Sequence, residues 1–148
     1  MRRVDREISR SEALALLTET KAGVLAMVDA CGAPYAIPVN HALIDGDLII
    51  HCAKVGRKID CLRNDNRICY TTYHMAHICP EKLTTKYISV VVMGRAELVE
   101  DLEVKRELLR RMTESLAPGA EFTCDERIVA DTGVIRIKID EITGKANR

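Results

Sequence analysis

Residues 51–70 read HCAKVGRKIDCLRNDNRICY, and the chain changes conformation three times along them. His51-Cys52-Ala53 closes an apolar run of strand length. Lys54-Val55-Gly56 turns the chain. Gly56 to Asn66 carries Ile59 and Leu62 at helical spacing with the arginines outward, and Arg67 to His74 is strand-like again. The flanking segments decide how these pieces assemble. Lys21 to Val28 is a compact apolar run ending in the turn Asp29-Ala30-Cys31-Gly32. Pro34 to Ile44 alternates, with Tyr35, Ile37, Val39, His41 and Leu43 on one face, and Pro38 marks it as an edge or a bulge. Asp45-Gly46 is a hairpin signal, after which Asp47 to Cys52 returns as a strand. Thr84 to Leu98 is long and β-branched, and Val134 to Ile142 alternates strictly.

Two further helices are expected. Ser9 and Glu12 form a capping box ahead of Ala13, Leu16 and Leu17. Asp101 caps a helix whose Val104, Leu108, Leu109, Met112 and Leu116 follow a 3.6-residue period until Pro118-Gly119 stops it. Six strands joined by hairpin turns, with three peripheral helices, predict an antiparallel barrel over 1–148, a single mainly-β (α+β) domain rather than a doubly wound sheet.

The chain has 148 residues with 22 basic and 22 acidic side chains, so any anion site must be local and a general nucleic-acid binder is not expected. No apolar window approaches membrane-spanning length, so no membrane association is expected either. The basic start Met1-Arg2-Arg3 is followed at once by acidic residues and no apolar run, unlike a secretory leader. Six cysteines without a CxxC pair fit a reduced, cytoplasmic protein with packed thiols.

Against this neutral background, residues 54–67 gather Lys54, Arg57, Lys58, Arg63 and Arg67. Free N–H groups at a helix start, a guanidinium fork and a lysine make a phosphate site, and Gly56 lets the backbone approach closely. Charge runs are more often solvated helix faces. Neither a Walker A loop nor a G-x-G-x-x-G stretch is present.

The order P-Y-x-x-P-V, D-G-D-L-x-x-H-x-A-x-x-G-R-K-x-D, T-x-Y-x-S-V-x-x-x-G-x-A and a closing I-T-G-K resembles the flavin-binding split-barrel proteins. Among them it looks most like the nitroimidazole-resistance (Nim) branch, relatives of pyridoxamine-phosphate oxidase. The likeness runs from about Ser9 to Lys145. It implies a six-stranded split barrel that forms a homodimer and holds FMN at the subunit interface. By this resemblance Arg57 and Lys58 hold the flavin phosphate and Ser89 adds a hydroxyl. Val39 and Asn40 border the ring, beside main-chain groups of Cys52 and Ala53. His51 faces the reactive part of the site as the catalytic candidate, with Tyr87 and the partner's Lys145 as weaker contributors. Cys52 stands where serine is expected, and Asn40-His41 is an unusual pair at that place.

The resemblance implies a flavin-dependent reductase or oxidase of a small molecule, such as a nitroaromatic, fed by NAD(P)H or another donor. Histidine exchanges protons near neutral pH, which suits His51 to proton donation. Its structural alternative is a strand-end histidine bonded to backbone. Two other functional classes compete. With four Tyr, one Phe and no Trp, the chain has few stacking groups, which fits a non-catalytic flavin-binding redox module. His74, His77 and Cys79 keep a haem-binding relative or a zinc site in view, although residues 74 and 77 of a regular strand face opposite ways. The same resemblance implies that pyridoxamine-phosphate oxidase activity itself is not expected, because that enzyme's C-terminal region, with a tryptophan and arginines for the substrate phosphate, has no counterpart in this sequence. Beside the basic cluster, Cys52 is either a redox-active thiol or, more simply, a packed strand cysteine.

Overall fold

The computed structural model describes residues 3–148, apart from the side chains of Met75 and Ala76; Met1 and Arg2 of the basic start lie outside the described residues. Eight strands, all paired antiparallel, make one sheet: β1 (Glu7–Ile8), β2 (Ala22–Val28), β3 (Pro34–Asn40), β4 (Ala42–Ile44), β5 (Asp47–Ala53), β6 (Arg67–Cys79), β7 (Thr84–Leu98) and β8 (Thr132–Asn147). Four helices surround it: α1 (Arg10–Glu19), α2 (Arg57–Asn64), α3 (Leu102–Leu116) and α4 (Glu126–Asp131). The spatial order is β3-β2-β6-β7-β8-β5-β4, with β1 on β8.

The two ends of that order, β3 and β4, are consecutive in the chain and separated by His41 alone. A single extended segment therefore leaves one half of the sheet at β2 and joins the other at β5, which curls the sheet into a split barrel. The expected strand over 34–44 is thus two strands. The alternation still holds, since Tyr35, Ile37, Val39 and Leu43 pack on the larger core. The count exceeds the expected six because of this break and the two-residue β1.

His41 itself is fully buried. Its Nε2–H donates to the Leu17 carbonyl of α1 at 2.8 Å, and its Nδ1 accepts from the Tyr70 hydroxyl of β6 at 2.5 Å. One imidazole thereby ties the barrel break to a helix and a central strand. Burial pulls its pKa below the usual 6.5. The unfolded chain then takes up a proton more readily than the folded one, so folding stability should be full above about pH 6.5 and fall as pH drops below it. Tm measured across pH 5–8 checks this, and a His41→Gln variant should flatten the acid limb.

Two cores form. The first fills the barrel with residues such as Leu25, Leu48, Ile50, Tyr70, Val90, Val92, Ile135 and Ile137, capped by Leu16 and Leu17 of α1 and Ile59 and Leu62 of α2. The second lies outside β4, β5 and β8, where Ile49 and Val134 meet Leu108, Leu109 and Met112 of α3 and Val129 of α4. Ser9 closes its capping box and Asp101 caps α3 at the Val104 amide. Within α3 the expected inward Val104 is 36% exposed, and Lys105 is buried in its place. Helix α4, capped by Asp125, is short and escaped the periodicity reading. In β8 a bulge at Asp140 returns Ile142 to the barrel side with Ile139, so strict alternation ends there. No helix among the described residues is long and apolar enough to cross a membrane.

Candidate functional site

The turn after β5 delivers α2 with an open first turn. Gly56 adopts φ 120°, a conformation that L side chains rarely adopt, and nothing lies within 4 Å of where a Cβ would stand. No side chain caps the helix; the Ile59 and Asp60 amides fold back on the Gly56 carbonyl, leaving those of Arg57 and Lys58 without a helical partner. The backbone is therefore a cradle for an anion, with two cations on its first residues.

Arg57 is oriented from outside α2. Its guanidinium donates to Asp29 Oδ2 at 3.1 Å and sits 4.4 Å from the Tyr35 ring centre. Asp29 is itself built in: its other oxygen accepts from the Ala33 and Cys31 amides, and these bonds with Arg57 hold its carboxyl below the usual range. The turn after β2 and the aromatic of the P-Y-x-x-P-V stretch thus aim the arginine while over half of its side chain stays open to solvent. Sequence reading assigned neither Asp29 nor Tyr35 this part.

Val39 and Asn40 lie at the end of β3, which packs against β5. Continuing the β4–β5 register by two residues brings Asn40 level with His51, so the ring-bordering candidates and Cys52-Ala53 form one edge. The Asn40 amide donates to the Lys21 carbonyl at 3.0 Å. Cys52 faces the barrel side with its sulfur against Gly133. Burial pushes its thiol up and Lys58 only partly opposes this, so the packed reading of Cys52 stands and an activated thiol does not.

His51 points to the opposite face of β5 from Cys52. It is exposed and opens on a cleft of about 290 Å³ between α3 and the segment before α4, lined by Leu109, Met112, Leu116, Phe122, Cys124 and Thr132. The inward reading of Leu108, Leu109 and Met112 holds, but the sequence did not disclose this cleft, which forms because Phe122 and Cys124 fold back over the last turns of the helix. No local signal announces it.

Ser89 and Lys145 are brought together with each other but not with Arg57 and Lys58. They are direct partners on β7 and β8, whereas Cys52 pairs with Gly133 near the opposite end of β8. Across the sheet, three strand spacings, roughly 14 Å, separate Ser89 from Asn40. The Lys145 ammonium stands 5.5 Å over the Tyr87 ring and, with Arg6, holds that hydroxyl below its ordinary value. Beside Ser89 the outer face of β2, β6 and β7 is apolar and open, with Tyr73 at 69%, Met93 at 47% and Val24 and Val91 each at 39% exposure. His74 and His77 are both exposed, on either side of a bulge in β6 that cancels the simple parity argument. Among the described residues no three His, Cys, Asp or Glu side chains gather as a metal site.

The structure is similar to several solved ones. A Bacteroides thetaiotaomicron protein assigned to 5-nitroimidazole antibiotic resistance superposes with TM-score 0.86 at 23% identity, over 94% of this chain and 85% of that one. An FAD-binding protein of Mesorhizobium loti gives 0.72 at 26% identity, over 97% and 98%. An FAD- and haem-binding protein of Mycobacterium smegmatis gives 0.85 at 19%, over 97% and 74%. No curated protein matches the chain at a significant level. The pyridoxamine 5'-phosphate oxidase family model matches residues 9–146, nearly the whole chain, and the protein is therefore a member of the pyridoxamine 5'-phosphate oxidase family.

Proposed function

We propose that this chain binds FMN and serves as a flavin-dependent oxidoreductase of a small aromatic molecule such as a nitroaromatic. The observation that carries the reading is the open first turn of α2, where Gly56, two unpartnered amides, Arg57 and Lys58 converge beside an edge built from Val39, Asn40, Cys52 and Ala53. The residues fit the cofactor. A phosphate needs N–H groups and cations, and the flavin ring needs a backbone edge with an apolar flank. Membership of the family and the likeness to flavin-binding structures support it.

Bound flavin would supply hydride and electron transfer. The chain's own residues would do the rest. Asp29 and Tyr35 hold Arg57 at the phosphate end. His51, at the mouth of the apolar cleft, would present an imidazole N–H to a substrate seated against Leu116 and Phe122. The separation of Ser89 and Lys145 from the clamp, and the open apolar face beside them, support a homodimer in which the partner copy brings these two residues to the flavin. The M. smegmatis likeness keeps haem as a second reading, with His74 and His77 exposed as candidate ligands.

The test is the absorption spectrum after incubation with FMN and desalting, followed by reduction with NAD(P)H and re-oxidation by a nitroaromatic. Retained flavin bands and turnover are the expected result. An Ala117→Trp variant, which sets an indole into the cleft from an exposed position, should keep the flavin and lose most of the turnover. A colourless chain that takes up no flavin overturns the reading, a Soret band replaces it with haem, and flavin that no donor reduces leaves a carrier.

A further inference from the structure

Lys105 is the one lysine, arginine or carboxylate among the described residues that is buried, at 3% exposure. A buried ammonium ordinarily has an anionic partner, because its hydration is otherwise lost without compensation. Here one N–H donates to the Ala130 carbonyl at 3.2 Å, and no carboxylate among the described residues forms an ion pair with it.

Lys105 lines a cavity of about 80 Å³, together with Lys54, Arg63 and Glu100, floored by Gly133 and Val134. Neither Lys54 nor Arg63 forms an ion pair with a described carboxylate. Three cations against one carboxylate leave the cavity with a surplus of two positive charges. Its volume exceeds that of a single water several-fold, which suits a tetrahedral oxyanion. The cavity is separate from the clamp at the start of α2. Ile59 and Arg63, one turn apart, line it together, and at about 100° per residue Ile59 stands on the far side of the helix from Arg57, which reaches to Asp29.

We propose that this cavity is a second oxyanion site, taking a phosphate dianion between Lys105 of α3, Arg63 of α2 and Lys54 of the turn that joins β5 to α2. Arg63 offers a two-pronged fork, and the two ammonium groups neutralise the remaining charge. A bound phosphate cross-links three elements that otherwise meet through few polar contacts. It thereby fixes the Lys54-Val55-Gly56 turn. The same chemistry is carried by free phosphate and by the phosphate of a larger molecule, and the proposal is for the free ion. It does not rest on the flavin reading.

The test is thermal unfolding of the full chain in sodium phosphate against sodium chloride at matched pH and ionic strength. The expected result is a saturable rise in Tm of about 2–5 °C. It should vanish in Lys54→Gln/Arg63→Gln, whose two positions are exposed and tolerant, and persist in Arg57→Ala/Lys58→Ala. Lys105→Met should also abolish it, and the exposed pair decides the matter if that variant does not fold. The rise should remain in the presence of excess FMN. No phosphate-specific rise, or an equal rise in the Lys54→Gln/Arg63→Gln chain, overturns the proposal. So does a rise that disappears with Arg57 and Lys58 or on adding FMN, because the phosphate then belongs to the clamp.

Discussion

An Arg57→Ala/Lys58→Ala chain is expected to lose FMN on desalting while the unaltered chain keeps it. A hydrogen bond to a charged group contributes roughly 1.5–3 kcal/mol when desolvated. Arg57 is more than half exposed, so the lower part of that range applies to each side chain. Removing both then costs about 2–4 kcal/mol, or roughly 30- to 1,000-fold in Kd. The α2 amides remain and should leave weak binding. Two comparisons separate the clamp from a general charge effect. Arg63→Ala removes the same charge from another side of α2 and should leave FMN affinity within about threefold, because exposed, distant charges are screened. Asp29→Asn frees the guanidinium from its carboxylate without removing the Tyr35 contact. Because Asp29 orients the arginine, affinity should fall, and a rise would show that it competes with the phosphate instead. Fluorescence titration of FMN reads all three, and equal affinity in the double variant would rule out the clamp.

Gly23→Ala is expected to be the most damaging single methyl group in the barrel. A Cβ at this position would overlap the Tyr70 hydroxyl and the Thr71 carbonyl at once. Main chain cannot yield as a flexible side chain can. Tyr70, fully buried, would have to withdraw from His41. Overpacking costs about 1–3 kcal/mol, and a buried Nδ1 left without its donor costs about 1–3 kcal/mol more. At roughly 2–4 °C per kcal/mol for a chain of this size, Tm should fall on the order of 10 °C. Tyr70→Phe, which loses only the hydrogen bond, should fall by less than half as much. Because the broken contact sits where β3 passes into β4, amide exchange should rise first in residues 38–44. A Gly23→Ala chain with unchanged Tm would mean that the close approach at Gly23 has slack.

Elements that depend only on neighbours along the chain could be read from the residues alone. The capping residues Ser9 and Asp101, the Asp45-Gly46 turn and the strand–turn–helix of residues 51–64 are all local patterns, and each lies where its pattern put it. The candidate anion site was legible for the same reason: Gly56, Arg57 and Lys58 are adjacent, and one turn of helix is enough to bring them together. Whatever depends on residues far apart in the chain was decided only by the tertiary structure. The curl of the sheet meets at His41, whose partners Leu17 and Tyr70 are 24 and 29 residues away. Arg57 is aimed by Asp29, 28 residues earlier. The cleft at His51 needs α3 and Phe122 to fold over β5, and the burial of Lys105 needs the end of α4. Periodicity reports which face of an element is apolar, not which element covers it, so the spacing of α3 turned Leu109 and Met112 inward without disclosing the cleft beside His51 or the burial of Lys105.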